Sequence, residues 1–139
     1  MVRLAAQLFR EVSTDFFRVL ASPLASLYVD VLDALDREAA ENNQGLDREE
    51  ALGLVEHVLE QHLEVAELTA ADPGAATTPD SRARSVLEAL RKAGWLHEEE
   101  RSNWQRLIYF EPNGTLLLQT LRTIAFPEAA AFSDKLFNV

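Results

Sequence analysis

The sequence contains no cysteine. That excludes disulfide scaffolds, thiolate zinc sites and cysteine nucleophiles, and it fits a reducing compartment. Positive charge is scarce: 13 Lys and Arg stand against 23 Asp and Glu, a net charge of −10. Lys and Arg supply most of the affinity for a phosphate backbone, so the balance favours partners that are not polyanions. Long apolar runs are missing as well. The longest uncharged stretch, 19–29, has 11 residues and contains Pro23. A bilayer span needs about 18 apolar residues or more, so no membrane-spanning segment is expected. Arg3 and Arg10 enclose too short an apolar stretch for a signal-peptide core, which points to the cytoplasm. There is no Gly-rich phosphate loop and no Gly-x-Ser-x-Gly elbow, so nucleotide-binding and serine-hydrolase chemistry lack their usual framework.

What is present is ordinary for a folded domain. The 139 residues are 47% apolar and 26% charged. A chain of this size buries roughly two thirds of the surface its unfolded form exposes, enough for a core without staples. Disorder over most of the length is excluded by the same composition. The charge is uneven. Residues 1–70 hold 14 acidic and 5 basic side chains, whereas 71–139 hold 9 and 8. Only 82–106 is locally positive.

Periodicity predicts mostly helix. Ser13 or Thr14 caps a short helical piece carrying Phe16, Phe17 and Leu20. Ser22 and Pro23 open a second helix whose Leu24, Leu27, Tyr28, Val31 and Leu35 recur with a 3.6-residue period. Asn42 to Gly45 end it. Asp47 caps a long helix reaching Leu68, with Glu50 three residues after the cap. Leu52, Val55, Leu59, Leu63 and Ala66 form one stripe on it, and Leu54, Val58, Val65 and Leu68 a second. So wide an apolar arc is either deeply buried or also packs against a partner. Residues 72–80 read as a loop. A helix starting at Ser81 carries Ala83, Val86, Leu87 and Leu90 and stops at Gly94. Strands are expected at Trp95–Glu100 and Gln105–Phe110, joined by a short hairpin turn. Pro112 opens a last helix with Leu116, Leu117, Leu121 and Ile124, broken or restarted at Pro127. The expected fold is mainly α with a small β-hairpin, a winged helix-turn-helix with extra N-terminal and C-terminal helical segments. Its divisions are an apolar arm and short helix at 1–22, the winged-helix domain at 23–126 and a helical tail at 127–139.

Few residues suggest chemistry. His57 and His62 are five apart, so they do not share a helix face as a metal pair would. Glu98, Glu99 and Glu100 alternate faces along a strand and cannot converge on one site. No catalytic group, metal site or cofactor is expected. Two surfaces remain. Arg82, Arg84, Arg91 and Lys92 on the third helix, with Arg101 and Arg106 beside the wing, could meet a DNA groove and backbone. Against this, the wing strand is acidic and ion pairs such as Glu88 with Arg84 or Arg91 neutralise the helix internally. The second surface is aromatic. Leu4, Leu8, Phe9, Phe16 and Phe17 at one end, and Phe126, Phe132, Leu136 and Phe137 at the other, lie outside the minimal three-helix core. Chain ends are normally polar and frayed unless tied down. These ends either fold over their own domain or form a homodimer interface, where buried aromatics are favoured.

Several segments, spread over nearly the whole chain, resemble a known family. The run Leu8-Phe9-Arg10-Glu11 through Phe16-Phe17-Arg18-Val19-Leu20-Ala21-Ser22, followed by Leu27-Tyr28-Val29-Asp30-Val31-Leu32, is similar to the opening of the JetA proteins of Wadjet systems. Ala89-Leu90-Arg91-Lys92-Ala93-Gly94-Trp95-Leu96-His97-Glu98-Glu99 resembles their helix-to-wing junction. Tyr109-Phe110 and the segment from Pro112 to Leu121 match in style. The resemblance implies a kleisin subunit akin to MukF and MksF of bacterial condensins, in an ATP-driven SMC complex of antiviral and plasmid defence. It also implies that these 139 residues are the N-terminal domain of a longer chain. The regions that bind the SMC subunit and the small KITE subunits would lie downstream. In MukF-like kleisins such a domain is a homodimerisation module, and ATP hydrolysis and DNA cleavage belong to other subunits. The apolar chain ends supply the expected interface residues of such a dimer: Leu4, Leu8, Phe9, Phe16 and Phe17 first, and Phe126, Phe132 and Phe137 second. The alternative is a DNA-binding winged-helix regulator using Arg82, Arg84, Arg91, Lys92, Arg101 and Arg106.

Overall fold

The computed structural model describes residues 3–41, 45–66, 78–101 and 103–128. Among these, the chain is mainly helical with one small antiparallel sheet. Helices α1 (Leu4–Glu11) and α2 (Thr14–Arg18) lead into α3 (Ala25–Glu41). Strand β1 (Leu46–Asp47) precedes α4 (Arg48–Gln61) and the short α5 (Leu63–Ala66). Helix α6 (Pro79–Lys92) feeds the hairpin of β2 (Leu96–Glu100) and β3 (Arg106–Phe110), and α7 (Pro112–Ala125) follows. Helix α4 packs on α3 and on α6, and α6 runs against β2, a winged-helix-like arrangement.

Local chemistry sets the ends of these elements. The Ser22 hydroxyl accepts from the Leu24 N–H at 3.2 Å, and the Asp47 carboxylate accepts from the Glu49 N–H at 2.9 Å. Each satisfies a donor that an unfinished helix turn leaves open. Helix α6 starts two residues earlier than its apolar period suggests. Thr78 caps it through a bond from the Ser81 N–H at 3.1 Å, and Pro79 occupies the first turn. Proline suits that position because its missing N–H would be unpaired there anyway. Residues 79 and 80 are therefore helix, not loop; 72–77 lie outside the described residues. At the other end Gly94 adopts φ +92°. Its N–H bonds to the Arg91 carbonyl and the Trp95 N–H bonds to the Leu90 carbonyl, the paired closure of a Schellman turn.

The helix expected from Asp47 to Leu68 is instead broken. Helix α4 ends at Gln61, and His62 leaves the helical region at φ −124°, ψ 45°. The His62 ring reaches across to Asp30 of α3, Nε2 to Oδ2 2.7 Å. Just beyond the break Leu63 is exposed, so it does not anchor a continuation of the helix in the core. Residues 67–70, with Leu68, lie outside the described residues. Among the described side chains of the wide arc, Leu52, Val55, Val58 and Leu59 are buried, all within α4.

The sheet has three strands, ordered β1-β3-β2, where two were expected. Leu46 pairs with Ile108, and Glu98 pairs with Ile108 from the other side. A two-residue strand is too short to show alternation in sequence. Its turn depends on Gly45, at φ +88°, where a β-carbon would lie 2.7 Å from the Tyr109 ring. That ring is held by stacking on His97 at 5.3 Å and by a bond from Arg101 to its hydroxyl at 2.6 Å. Gly45→Ala is expected to lower stability by about 1 kcal/mol, the steric cost of left-handed backbone for a side chain. Urea unfolding checks this; an unchanged midpoint would contradict it.

The core is centred on Trp95, which is fully buried. Its indole Nε1 donates to the Phe16 carbonyl at 2.8 Å, and its ring stacks on the Phe16 ring at 4.4 Å and 14°. On another side Gly114 of α7 approaches closely, since a β-carbon there would stand 3.0 Å from the Trp95 carbonyl oxygen. Phe16 is thus a core residue, which corrects the expectation that it lies outside the core. The reason is long-range: 79 positions separate the two partners. Helix α7 also differs in detail. Leu118 is the buried residue, Leu117 and Leu121 are partly buried, and Leu116 and Ile124 face out.

Candidate interaction surfaces

Helix α1 is amphipathic, and none of its residues is buried. Leu4 is 82% exposed and Phe9 48%, with Leu8 also on the surface. Leu4 and Leu8, four apart, share one face of this helix, with Phe9 next to Leu8. What ties the arm down is a run of rings. Phe9 meets Phe17 edge-on at 6.2 Å, and Phe17 meets Phe16 edge-on at 5.2 Å. Phe16 then stacks on Trp95. The residues expected at an interface therefore divide. Leu4, Leu8, Phe9 and Phe126 are on the surface, Phe17 is half-buried and Phe16 is inside. Phe132, Leu136 and Phe137 lie outside the described residues. Phe126 rims a hollow between α3 and α7 lined by Val29, Leu118, Leu121 and Ala125.

The basic set of α6 and the wing is brought onto neighbouring elements, but much of its charge is already engaged. Arg84 pairs with Asp80 at 3.1 Å. Arg91 donates from Nε to Glu88 at 2.9 Å. That bond holds the Glu88 carboxyl below its ordinary range and the Arg91 guanidinium above its own. Arg101 is turned to the Tyr109 hydroxyl, which raises the Arg101 pKa. Arg106 stands opposite Glu100 in the β2–β3 register, and Lys92 is exposed at the end of α6. Arg82 also has a partner.

The histidines and wing carboxylates do not assemble a reactive centre. Glu98 faces Arg48, Oε1 to Nε 3.2 Å, while His97 faces Glu111, Nδ1 to Oε1 3.1 Å. Both have the spacing of ion pairs without the alignment of hydrogen bonds. Among the described residues, no group of three or more His, Asp and Glu could hold a metal ion. No helix there is long and apolar enough to cross a membrane.

A connected charged cluster joins α7 to α3. Arg122 donates to Asp33 from Nε at 2.9 Å and from Nη2 at 2.6 Å, and to Asp36 from Nη1 at 2.7 Å. Arg37 reaches Asp33 at 3.1 Å. Burial pushes the Asp33 carboxyl up, but the bonds and charges of Arg122 and Arg37 outweigh it and hold its pKa below the ordinary value. Burial lowers the Arg122 pKa while its bonds to Asp33 and Asp36 raise it, and the bonds win.

Sequence reasoning missed three exposed features. Trp104, at the hairpin turn, is 88% exposed with φ +66°. Leu116 and Ile124 of α7 are 64% and 71% exposed. The five apolar residues between 116 and 124 exceed what one buried arc of a helix can hold, so the excess was visible in the sequence. Which residues would face out was not. The family model described as Wadjet protein JetA matches residues 34–139. No curated protein and no solved structure matches the chain.

Proposed function

Because the chain belongs to the Wadjet protein JetA family, we propose that it acts as a non-catalytic, winged-helix dimerisation module of a kleisin-type subunit in a cytoplasmic SMC complex directed against plasmid DNA. The observation that carries this reading is the exposed apolar surface of α1, Leu4, Leu8 and Phe9, together with Phe126. Large apolar side chains left exposed in this way are candidates for burial against a partner. Under this reading the SMC and KITE subunits are engaged by other parts of the subunit. The alternative, a DNA-binding regulator reading through α6 and the wing, has weaker support, because Arg84, Arg91 and Arg101 are engaged within the chain.

Light scattering coupled to size exclusion, over a tenfold concentration range, tests the reading. The expected mass approaches twice 15.5 kDa at the upper concentrations. Two chains of net charge −10 repel, so raising salt from low to moderate is expected to strengthen the dimer. Leu4→Glu with Leu8→Glu is expected to weaken it at least about tenfold, the loss of roughly 1.4 kcal/mol of binding energy. A mass of 15.5 kDa at every concentration and salt would end the reading.

A further inference from the structure

Four helices of the fold, α3, α4, α6 and α7, have 14 or more residues. Three of them present charge to solvent. Asp30, Arg37 and Glu41 are exposed on α3, Glu49, Glu50 and Glu60 on α4, and Arg84, Glu88, Arg91 and Lys92 on α6. Helix α7 does not. Its only charged residue is Arg122, which is turned to Asp33 and Asp36. Its exposed stripe contains Leu116, Gln119, Thr120, Thr123 and Ile124, spaced as one helix face. The two threonine hydroxyls are already used: Thr120 donates to the Leu116 carbonyl at 3.1 Å and Thr123 to the Gln119 carbonyl at 3.0 Å. Covering this face would strand no charge and neither hydroxyl donor.

We propose that the outer face of α7 is the two-fold axis of the dimer, packing against α7 of a second copy in antiparallel fashion. This rests on the dimerisation reading above and names its contact. Charge selects the occupant. A chain of net charge −10 meets its own copy at least cost where neither surface brings a carboxylate. An isologous contact requires one patch to be self-complementary, and an uncharged stripe of leucine, isoleucine and threonine methyls meets that condition. The face also lies inside the family-matched segment 34–139, whereas α1 lies outside it. Area fixes the division of labour. A 14-residue helix is about 21 Å long, and a strip about 10 Å wide along it covers on the order of 200 Å². A standard interface needs about 800 Å² per partner. Helix α7 therefore supplies the axis, Phe126 at its C-terminal end extends the contact, and the remaining area must come from other exposed apolar side chains.

The absence of cysteine makes the test direct. In the 139-residue chain, Thr120→Cys near the middle of α7 places one thiol beside the axis, and Ser26→Cys on the exposed side of α3 is the control. Under mild oxidation the Thr120→Cys chain is expected to become a covalent dimer, and the control to stay largely monomeric on a denaturing gel. Leu116→Glu with Ile124→Glu is expected to weaken the dimer at least a hundredfold by light scattering. Both positions are exposed, so its helical circular dichroism should be unchanged. If the wild-type chain dimerises while this variant does too, and Thr120→Cys does not cross-link, the α7 assignment is wrong and the dimerisation reading stands. If the wild-type chain never dimerises, both fall.

Discussion

Trp95→Ala is expected to cost about 3–5 kcal/mol of unfolding free energy, the usual range for removing a large buried aromatic. Domains of this kind hold only about 5–15 kcal/mol in total, so the variant should be close to unfolded at 37 °C. Three losses combine. The stack on Phe16 at 4.4 Å disappears, and a cavity opens between α2 and the first turn of α7. The Phe16 carbonyl loses its indole donor, leaving a buried acceptor unpaired. Trp95→Phe separates these terms. It keeps an aromatic ring and most of the filled volume but removes the N–H, so a smaller loss of about 1–2 kcal/mol is expected. Urea unfolding followed by far-ultraviolet circular dichroism measures both. A Trp95→Ala midpoint within error of the wild type would show that the core does not depend on this residue. Trp104 is already in water, so the fluorescence change on unfolding should survive Trp104→Phe and vanish with Trp95→Phe.

Arg122→Ala is expected to cost about 2 kcal/mol, the scale of hydrogen bonds to charged groups, reduced because the cluster is partly solvated. It removes three bonds to Asp33 and Asp36 and leaves two carboxylates close together on α3. The same cluster predicts a pH dependence. The Asp33 pKa is lower in the folded state than the ordinary carboxylate value, so the unfolded chain binds its proton first as pH falls. The stabilisation is therefore complete above the ordinary aspartate value of about 4, and is lost as pH drops from there through the lowered folded value. Urea midpoints at pH 7 and across pH 2–4 test this. The gap between wild type and Arg122→Ala should narrow as the pH falls through that range; a constant gap would remove Asp33 from the explanation.

Much of the fold was legible without coordinates, for identifiable reasons. The one-sided period of Leu27, Val31 and Leu35 on α3 is written in the sequence, as is that of Ala83, Val86, Leu87 and Leu90 on α6. So are the cap at Asp47, the stop at Gly94 and the hairpin after Trp95. These signals act within a few residues, through backbone donors, steric limits on φ and the repeat of a helix or strand. The proposed interaction surface was half legible. Leu4, Leu8, Phe9 and Phe126 are apolar residues near the ends of the fold, and the structure leaves them exposed.

What tertiary structure alone decided are the pairings between distant segments. Phe16 joined the core because Trp95 offers it a ring and a donor from 79 residues away. Strand β1 formed because β3 presents a free edge to Leu46 and Asp47. Helix α4 ended at Gln61, where His62 found Asp30 and Leu63 stayed exposed. Helix α7 took its orientation from Leu118 in the core and from Arg122 held by Asp33 and Asp36, and that orientation put Leu116 and Ile124 outside. A helical period shows that an apolar face exists; which face turns inward depends on contacts made only after the chain has closed on itself.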